Sequence, residues 1–242
     1  MKELRLALLI SGSGTTAEAV IRASKDGRLA GVEVACVIVS KPGALGIVRA
    51  LRAGVPEKDV AVCQPRSFPS SKKFGEQIIK ECKARGADFV GQYGWLVKTP
   101  ENVIEAFAGR IVNQHPGPLD PGRPDFGGKG MFGRRVHAAR LFFVRAVGRD
   151  FWTEMTTHRV VAEYDMGAVV NTRRIVINLD DTPESLQERA LPIEHELQIE
   201  TLGMFVRGDV KEMKRTIPLV LPGEEKILEE AKQKAILMYP NG

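Results

Sequence analysis

Leu4–Ile10 (LRLALLI) is an unbroken apolar run that stops at Ser11-Gly12-Ser13-Gly14. A short run with no polar face, ended by a glycine turn, reads as a strand covered on both sides. Such strands belong to parallel sheets with helices packed over them. The first half of the chain keeps this rhythm. Thr15–Ser24 has helical character and Gly27 closes it, Val32–Val39 (VEVACVIV) is a second strand, and Ala44–Ala53 is helical up to Gly54. Val60–Cys63 is a short strand. Ser70–Arg85 repeats Phe74, Ile78, Ile79 and Cys82 at helical spacing, and Asp88–Gln92 is a fourth strand. Pro100 opens a helix to Phe107, and Arg110–His115 is a fifth strand stopped by Pro116. This alternation predicts an α/β fold, a doubly wound and mostly parallel sheet with right-handed crossovers. Ligands of such sheets bind beyond the carboxyl ends of the strands. The ends to watch are Ser11–Thr16, Gln92–Trp95 and Asn113–Pro118.

Beyond Pro116 the character changes. Residues 117–133 (GPLDPGRPDFGGKGMFG) form a long Gly- and Pro-rich loop, of a length usually tied to function or mobility. Val136–Val147 reads as a helix. Thr153–Ala162 and Ala168–Leu179 read as strands, antiparallel through the turn Glu163-Tyr164-Asp165-Met166-Gly167, and Thr182–Phe205 as a helix. The expected division is a domain over 1–205 and a C-terminal extension over 206–242. The extension ends in a charged amphipathic helix, Glu224–Met238, whose stripe of Ile227, Leu228, Ala231 and Ala235 needs burial in cis or in trans.

Composition removes several classes. With 242 residues, 43% apolar and 27% charged, the chain is neither disordered nor a disulfide scaffold. It has no apolar run long enough to cross a membrane. The N-terminal apolar stretch leads straight into a glycine turn, so it is expected to be a strand and not a signal peptide. Cys36, Cys63 and Cys82 match no disulfide or zinc spacing, which points to core residues and a reducing, cytoplasmic setting. The net charge of +5 is concentrated in 118–150, where seven Lys and Arg face three Asp. That cluster is either a neighbour of an anionic ligand or a solvated helix face. Nucleic acid is not the expected partner, because interleaved aromatics and RNA motifs are missing.

Three constellations carry chemistry. In Gly12-Ser13-Gly14-Thr15-Thr16 the glycines let backbone approach a ligand, and the helix start offers free N–H groups to an anion. The loop can cradle phosphate, or serve as a G-x-G-x-x-A dinucleotide turn, or be a tight turn alone. Against a dinucleotide, no acid follows the second strand. The second is Asn113-Gln114-His115-Pro116. Asn113 and His115, two apart on a strand, point the same way, and an amide beside an imidazole suits an oxyanion and a proton transfer. His137, His158 and His195 are dispersed, and with no HxH or HExxH pattern no metal site is expected. The third is the 163–167 turn, by itself an ordinary acidic turn with Gly167 supplying a positive φ. Beside Asn113 and His115 it offers a carboxylate, Asp165, to orient the imidazole and raise its pKa.

ISGSGTTAEAV, VNQHPGPLDPG and AEYDMGAVV, in this order, resemble the folate-dependent formyltransferase family over about residues 1–205. The resemblance implies a Rossmann-like formyltransferase fold with a C-terminal helical extension. It also implies transfer of a formyl group from 10-formyltetrahydrofolate to an amine, without a covalent enzyme intermediate. Within the family the chain looks most like members that formylate glycinamide ribonucleotide in purine synthesis. On that basis Asn113 and His115 would polarise the formyl carbonyl, and Asp165 would orient His115 and manage the amine proton through water. Gly12, Ser13, Gly14, Thr15 and Thr16 would hold the substrate phosphate and Glu194 the nucleotide. Gln92, Tyr93, Gly94, Trp95, Leu96 and Val97 would line the folate pocket. The implied partners are small nucleotide and folate substrates, with no membrane and no metal; a homodimer stays open.

The chain departs from the family pattern at His115-Pro116-Gly117-Pro118-Leu119-Asp120, at Trp95, where an arginine is common, and at Thr16, where an asparagine is. The extension from Val206 has no counterpart in the minimal enzyme. The acceptor therefore stays open to an amino sugar nucleotide, methionyl-tRNA or water. A hydrolase of this fold carries a regulatory domain ahead of its first strand, and here the first strand starts at Leu4. A tail of about forty residues is short for the second domain of a tRNA enzyme.

Overall fold

The computed structural model describes residues 3–120, 122–123 and 125–242. The elements follow the predicted rhythm, with most boundaries displaced by a residue or two. They are β1 (Leu4–Ile10), α1 (Thr15–Asp26), β2 (Val32–Val39), α2 (Leu45–Arg52), β3 (Val60–Val62), α3 (Ser71–Ala84), β4 (Phe89–Gln92), α4 (Glu101–Ala106) and β5 (Ile111–His115). Then come α5 (Arg134–Val147), β6 (Trp152–Arg159), β7 (Val169–Val176), α6 (Pro183–Arg207) and α7 (Glu225–Met238). The strands form one seven-stranded sheet in the order β3-β2-β1-β4-β5-β6-β7. The β1–β2, β1–β4, β2–β3 and β4–β5 pairs are parallel, and β6–β7 is antiparallel as expected.

The chain divides into two compact units. The first runs to Gln114 and includes Gln198–Val210. Its core is the apolar run that opened the sequence, with Leu6, Leu8 and Ile10 packed among Val20, Ile21, Val37, Val39 and, from α6, Leu202. Order reverses between β1 and β4, which makes the loops after these two strands the topological switch point. The loops are stitched together: Ser11 N donates to Gly94 O at 3.0 Å, and Leu96 N donates to Ser11 Oγ at 2.9 Å. The three cysteines are free and buried.

The second unit comprises His115–Leu197 and Lys211–Gly242. Its core gathers α5, β6, β7 and the first part of α6 around Phe126, Leu141, Phe143, Met155 and Leu186. The apolar stripe of α7 is buried in cis. Ala231 and Ala235 lie inside this core, and Ile227 and Leu228 are half-buried against it.

Part of the basic segment has a structural use outside the two sequence alternatives: Arg135 and Arg140 are buried, and they and the exposed Arg145 act as tethers. Arg140, fully buried, donates Nε to Trp152 O at 2.9 Å and Nη2 to Asp150 O at 3.0 Å, with its guanidinium over the Phe126 and Trp152 rings. Arg135 donates to Gly130 O, Tyr239 O and Pro240 O, and Arg145 to Leu179 O and Asp181 O. These side chains donate to carbonyls at or just beyond the ends of elements, two of which, Asp150 O and Tyr239 O, also accept from backbone N–H groups.

Among the described residues no helix is long and apolar enough to cross a membrane.

Candidate functional site

The first unit presents two of the predicted segments at its switch point. In the loop after β1, Gly12 and Ser13 are exposed, Thr15 is half-buried and Thr16 is buried. Gly14 takes φ 70° at the start of α1, and a Cβ there would lie 2.7 Å from Gly46 Cα. Glycine at 14 is thus demanded by the backbone and by α2, independently of any ligand. No side chain caps α1, and the start of a helix favours an anion through its dipole.

After β4, Gln92, Tyr93 and Trp95 turn inward. Gln92 Nε2 donates to Thr99 Oγ1 at 2.7 Å, and Trp95 stacks on Phe74 with ring centroids 6.2 Å apart. Gly94 and Leu96 are exposed and Val97 is half-buried. Of this segment, then, Gly94, Leu96 and Val97 offer surface, while the other three hold the turn in shape. Asn113 pairs with Gln92 across β4–β5 and is half-buried.

The second unit holds His115, the last residue of β5, which is almost wholly buried. Its Nδ1 lies 3.8 Å from Asp165 Oδ2. Its Nε2 lies 3.2 Å from the carbonyl oxygen of Phe126, in the Gly-rich loop. A carbonyl only accepts, so Nε2 carries the hydrogen, and Nδ1 of the neutral ring turns its lone pair toward the carboxylate. Asp165 accepts from Gly128 N at 2.8 Å, in the same loop. The Gly-rich loop thus forms one wall around the His115–Asp165 pair.

One expectation holds in direction and one needs correction. Asp165 pushes the His115 pKa up, as expected, but burial of the ring is the larger effect and the pKa is lowered. In the turn, Asp165 itself takes the positive φ, at 57°, and not Gly167. Gly167 is required for another reason: a Cβ there would sit 1.8 Å from Arg159 O.

At Asp165, burial alone would raise the pKa. Positive charge on the His115 and His158 imidazoles, together with the Gly128 N–H, outweighs it and holds the carboxyl at about 2. The participation of His158 was missed by sequence reasoning. His158 Nε2 lies 3.4 Å from Asp165 Oδ1, and its Nδ1 donates to Arg159 O at 2.8 Å. The β6–β7 register shifts between Thr157 and His158. Such a bulge re-aims a side chain, so strict alternation along the strand gives no hint of where His158 points. Glu194 is buried on α6. Among the described residues no group of three His, Cys, Asp or Glu is arranged to hold a metal.

A neutral imidazole beside an ionised carboxylate can accept a proton and, once charged, donate to a developing oxyanion. Known proteins share this fold. The family described as formyl transferase matches residues 4–202. The chloroplastic phosphoribosylglycinamide formyltransferase of Arabidopsis thaliana is 30% identical over 216 residues, which is 89% of this chain and 70% of that protein. Glycinamide ribonucleotide transformylase 1 from Symbiobacterium toebii has a TM-score of 0.74 at 29% identity, over 87% of this chain and 94% of that one. The transformylase 1 from Geobacillus kaustophilus has a TM-score of 0.70 at 33% identity, over 84% and 99%. With a family match that spans most of its length, this chain belongs to the formyl transferase family and is a formyltransferase.

Proposed function

We propose that the chain transfers the formyl group of 10-formyltetrahydrofolate to the amine of glycinamide ribonucleotide, a step of purine synthesis. The His115–Asp165 pair carries this reading, set in a chain whose relatives bear that activity in their names. The acceptor amine adds to the formyl carbon, and the oxyanion so formed draws on the Asn113 amide. The proton leaving the amine passes through water to the Nδ1–Asp165 acceptor pair. His115, charged at that moment, donates from Nδ1 to the oxyanion. Collapse breaks the bond from the formyl carbon to folate N10, which takes up the proton. One proton moves from amine to N10 overall, and no group stays on the enzyme.

In this reading Gly12, Ser13, Gly14, Thr15 and Thr16 hold the nucleotide phosphate at the start of α1, and Glu194 contacts the nucleotide. The Gln92–Val97 segment lines the folate pocket, chiefly through Gly94, Leu96 and Val97. Residues 1–205 act as the transferase domain and 206–242 as its extension, in the cytoplasm.

The test is a formyl-transfer assay with 10-formyltetrahydrofolate, with and without glycinamide ribonucleotide, following release of tetrahydrofolate. Release that requires the ribonucleotide supports the assignment. Release without it indicates water as acceptor, and folate binding without release indicates a different amine.

A further inference from the structure

The extension contributes one contact that bears on the chemistry. From α7, Lys232 Nζ donates to Asp125 O at 2.9 Å and to Gly127 O at 3.1 Å. Between these two carbonyls lies that of Phe126, which faces His115 Nε2, and the next residue, Gly128, donates its N–H to Asp165. Four consecutive residues thus face the ammonium with two carbonyls and the His115–Asp165 pair with one carbonyl and one N–H. We propose that Lys232 is a positioning residue for formyl transfer: it holds the Asp125–Gly128 turn in the orientation that fixes His115 and Asp165. This rests on the proposed roles of that pair.

The physical argument is one of satisfied acceptors. The carbonyls of Asp125 and Gly127 belong to buried residues, and the Lys232 ammonium is a donor for both. Without it they need other donors, and peptide rotation is the cheapest way to find them. Rotation carries the Phe126 carbonyl away from His115 and frees the ring to take either tautomer. The turn itself stays docked, because the Phe126 ring is fully buried edge-on against Phe143, with centroids 5.3 Å apart. Loss of Lys232 therefore disorders peptide orientation more than it disturbs the fold. Arg135 makes a second link of the same kind, joining Gly130 O in the loop to Tyr239 O and Pro240 O after α7. The residues that supply Lys232 lie beyond the stretch matched by the family, so the device belongs to this chain's extension.

The experiment compares the full chain with Lys232→Met, Lys232→Gln and Lys232→Arg. Its readouts are kcat, KM for both substrates, thermal midpoint, and the His115 tautomer from nitrogen-15 histidine spectra assigned with His115→Gln. The expected result for Lys232→Met is a kcat about tenfold lower or more, as for a slightly misplaced catalytic group. KM stays within about threefold, the expectation when a loss falls on the chemical step. The His115 signal changes from an Nε2–H form to mixed tautomers, Lys232→Arg keeps most of the rate, and Lys232→Gln falls between. A folded Lys232→Met protein with unchanged kcat or unchanged tautomer overturns the proposal. So does an equal loss in Met and Arg variants that tracks the thermal midpoint. If Lys232→Met fails to fold, the same criteria apply to Lys232→Gln. Should His115→Gln retain full activity, the catalytic reading fails, and the tautomer response still decides whether Lys232 sets the ring.

Discussion

His158 Nε2 lies 3.4 Å from Asp165 Oδ1, on the opposite side of the carboxylate from His115. The carboxylate therefore has an imidazole on each oxygen, and its position depends on both. Asp165 also occupies a left-handed backbone conformation that Asn tolerates well, so Asp165→Asn isolates the charge from the geometry. That substitution should lower kcat by about 10²–10³, in the range of a lost acid–base group. His158→Gln should cost about tenfold, which corresponds to one weakened hydrogen bond to a charged group. Steady-state kinetics on both proteins checks the order; a silent Asp165→Asn would return the turn to a surface role.

Asn113→Ala and His115→Ala should each reduce kcat by about 10²–10³, the cost of one oxyanion donor, with smaller effects on KM. Single-turnover measurements separate this loss from slow product release. Near-normal turnover in either variant would remove that residue from the mechanism.

Stability should fall on the acid side from about pH 6.5, the ordinary histidine value. His137, buried on α5, is held to about 3 by burial first, with His115 and Arg134 adding to the effect. Between those two values the unfolded chain binds a proton that the folded chain refuses. The contribution is therefore fully present above pH 6.5 and is lost as pH falls toward 3. At pH 4.5 the loss from His137 alone is about 2–3 kcal/mol, at about 1.4 kcal/mol per unit. His115 adds in the same direction, because its pKa is also lowered. Asp165 adds below the ordinary carboxylate range, since its pKa is depressed to about 2. Urea denaturation at pH 7.5 and 4.5 should show a smaller difference for His137→Leu than for the parent chain.

Periodicity with glycine and proline stops located the elements, because buried parallel strands and helices ended by glycine leave strong local patterns. Leu4–Ile10 and Val32–Val39 are strands over those very residues. The site was legible only in part. Asn113 and His115 stood out by their spacing at a strand end, and Asp165 by its partnership with them. His158 did not, because a bulge sets its direction and bulges leave no periodic trace. The burial of Arg135 and Arg140 was not legible for a related reason. Charge reads as solvent-facing in a sequence, and only the fold shows which carbonyls need a donor.

Arg140 tests that last point. It is fully buried, and burial lowers its pKa to about 10, so it stays charged at neutral pH. Arg140→Met keeps much of the volume and removes the donors to Trp152 O and Asp150 O. The two carbonyls lose a charged partner, and the expected destabilisation is about 2–4 kcal/mol. Where the variant is folded, KM for an anionic substrate should not change. A raised KM with unchanged stability would show instead that Arg140 serves a ligand.

Gly127→Ala probes the wall of the site directly. A Cβ at this position would lie 2.8 Å from Asp165 Cβ, 2.8 Å from Leu119 Cδ2 and 2.9 Å from Asp165 Oδ2. Gly127 is not among the glycines with positive φ, so the cost of alanine is crowding and not backbone strain. Overpacking of this kind costs about 1–3 kcal/mol, and either Asp165 or the loop must move to relieve it. Movement of Asp165 changes its distance from both histidines, whereas movement of the loop breaks the Gly128 N–H contact and displaces the Phe126 carbonyl. Either way kcat should fall by more than the stability loss predicts, since a folded protein would carry a misaligned pair. Measuring kcat well below the thermal midpoint distinguishes the two effects. Full activity there would mean that the loop is not part of the catalytic geometry.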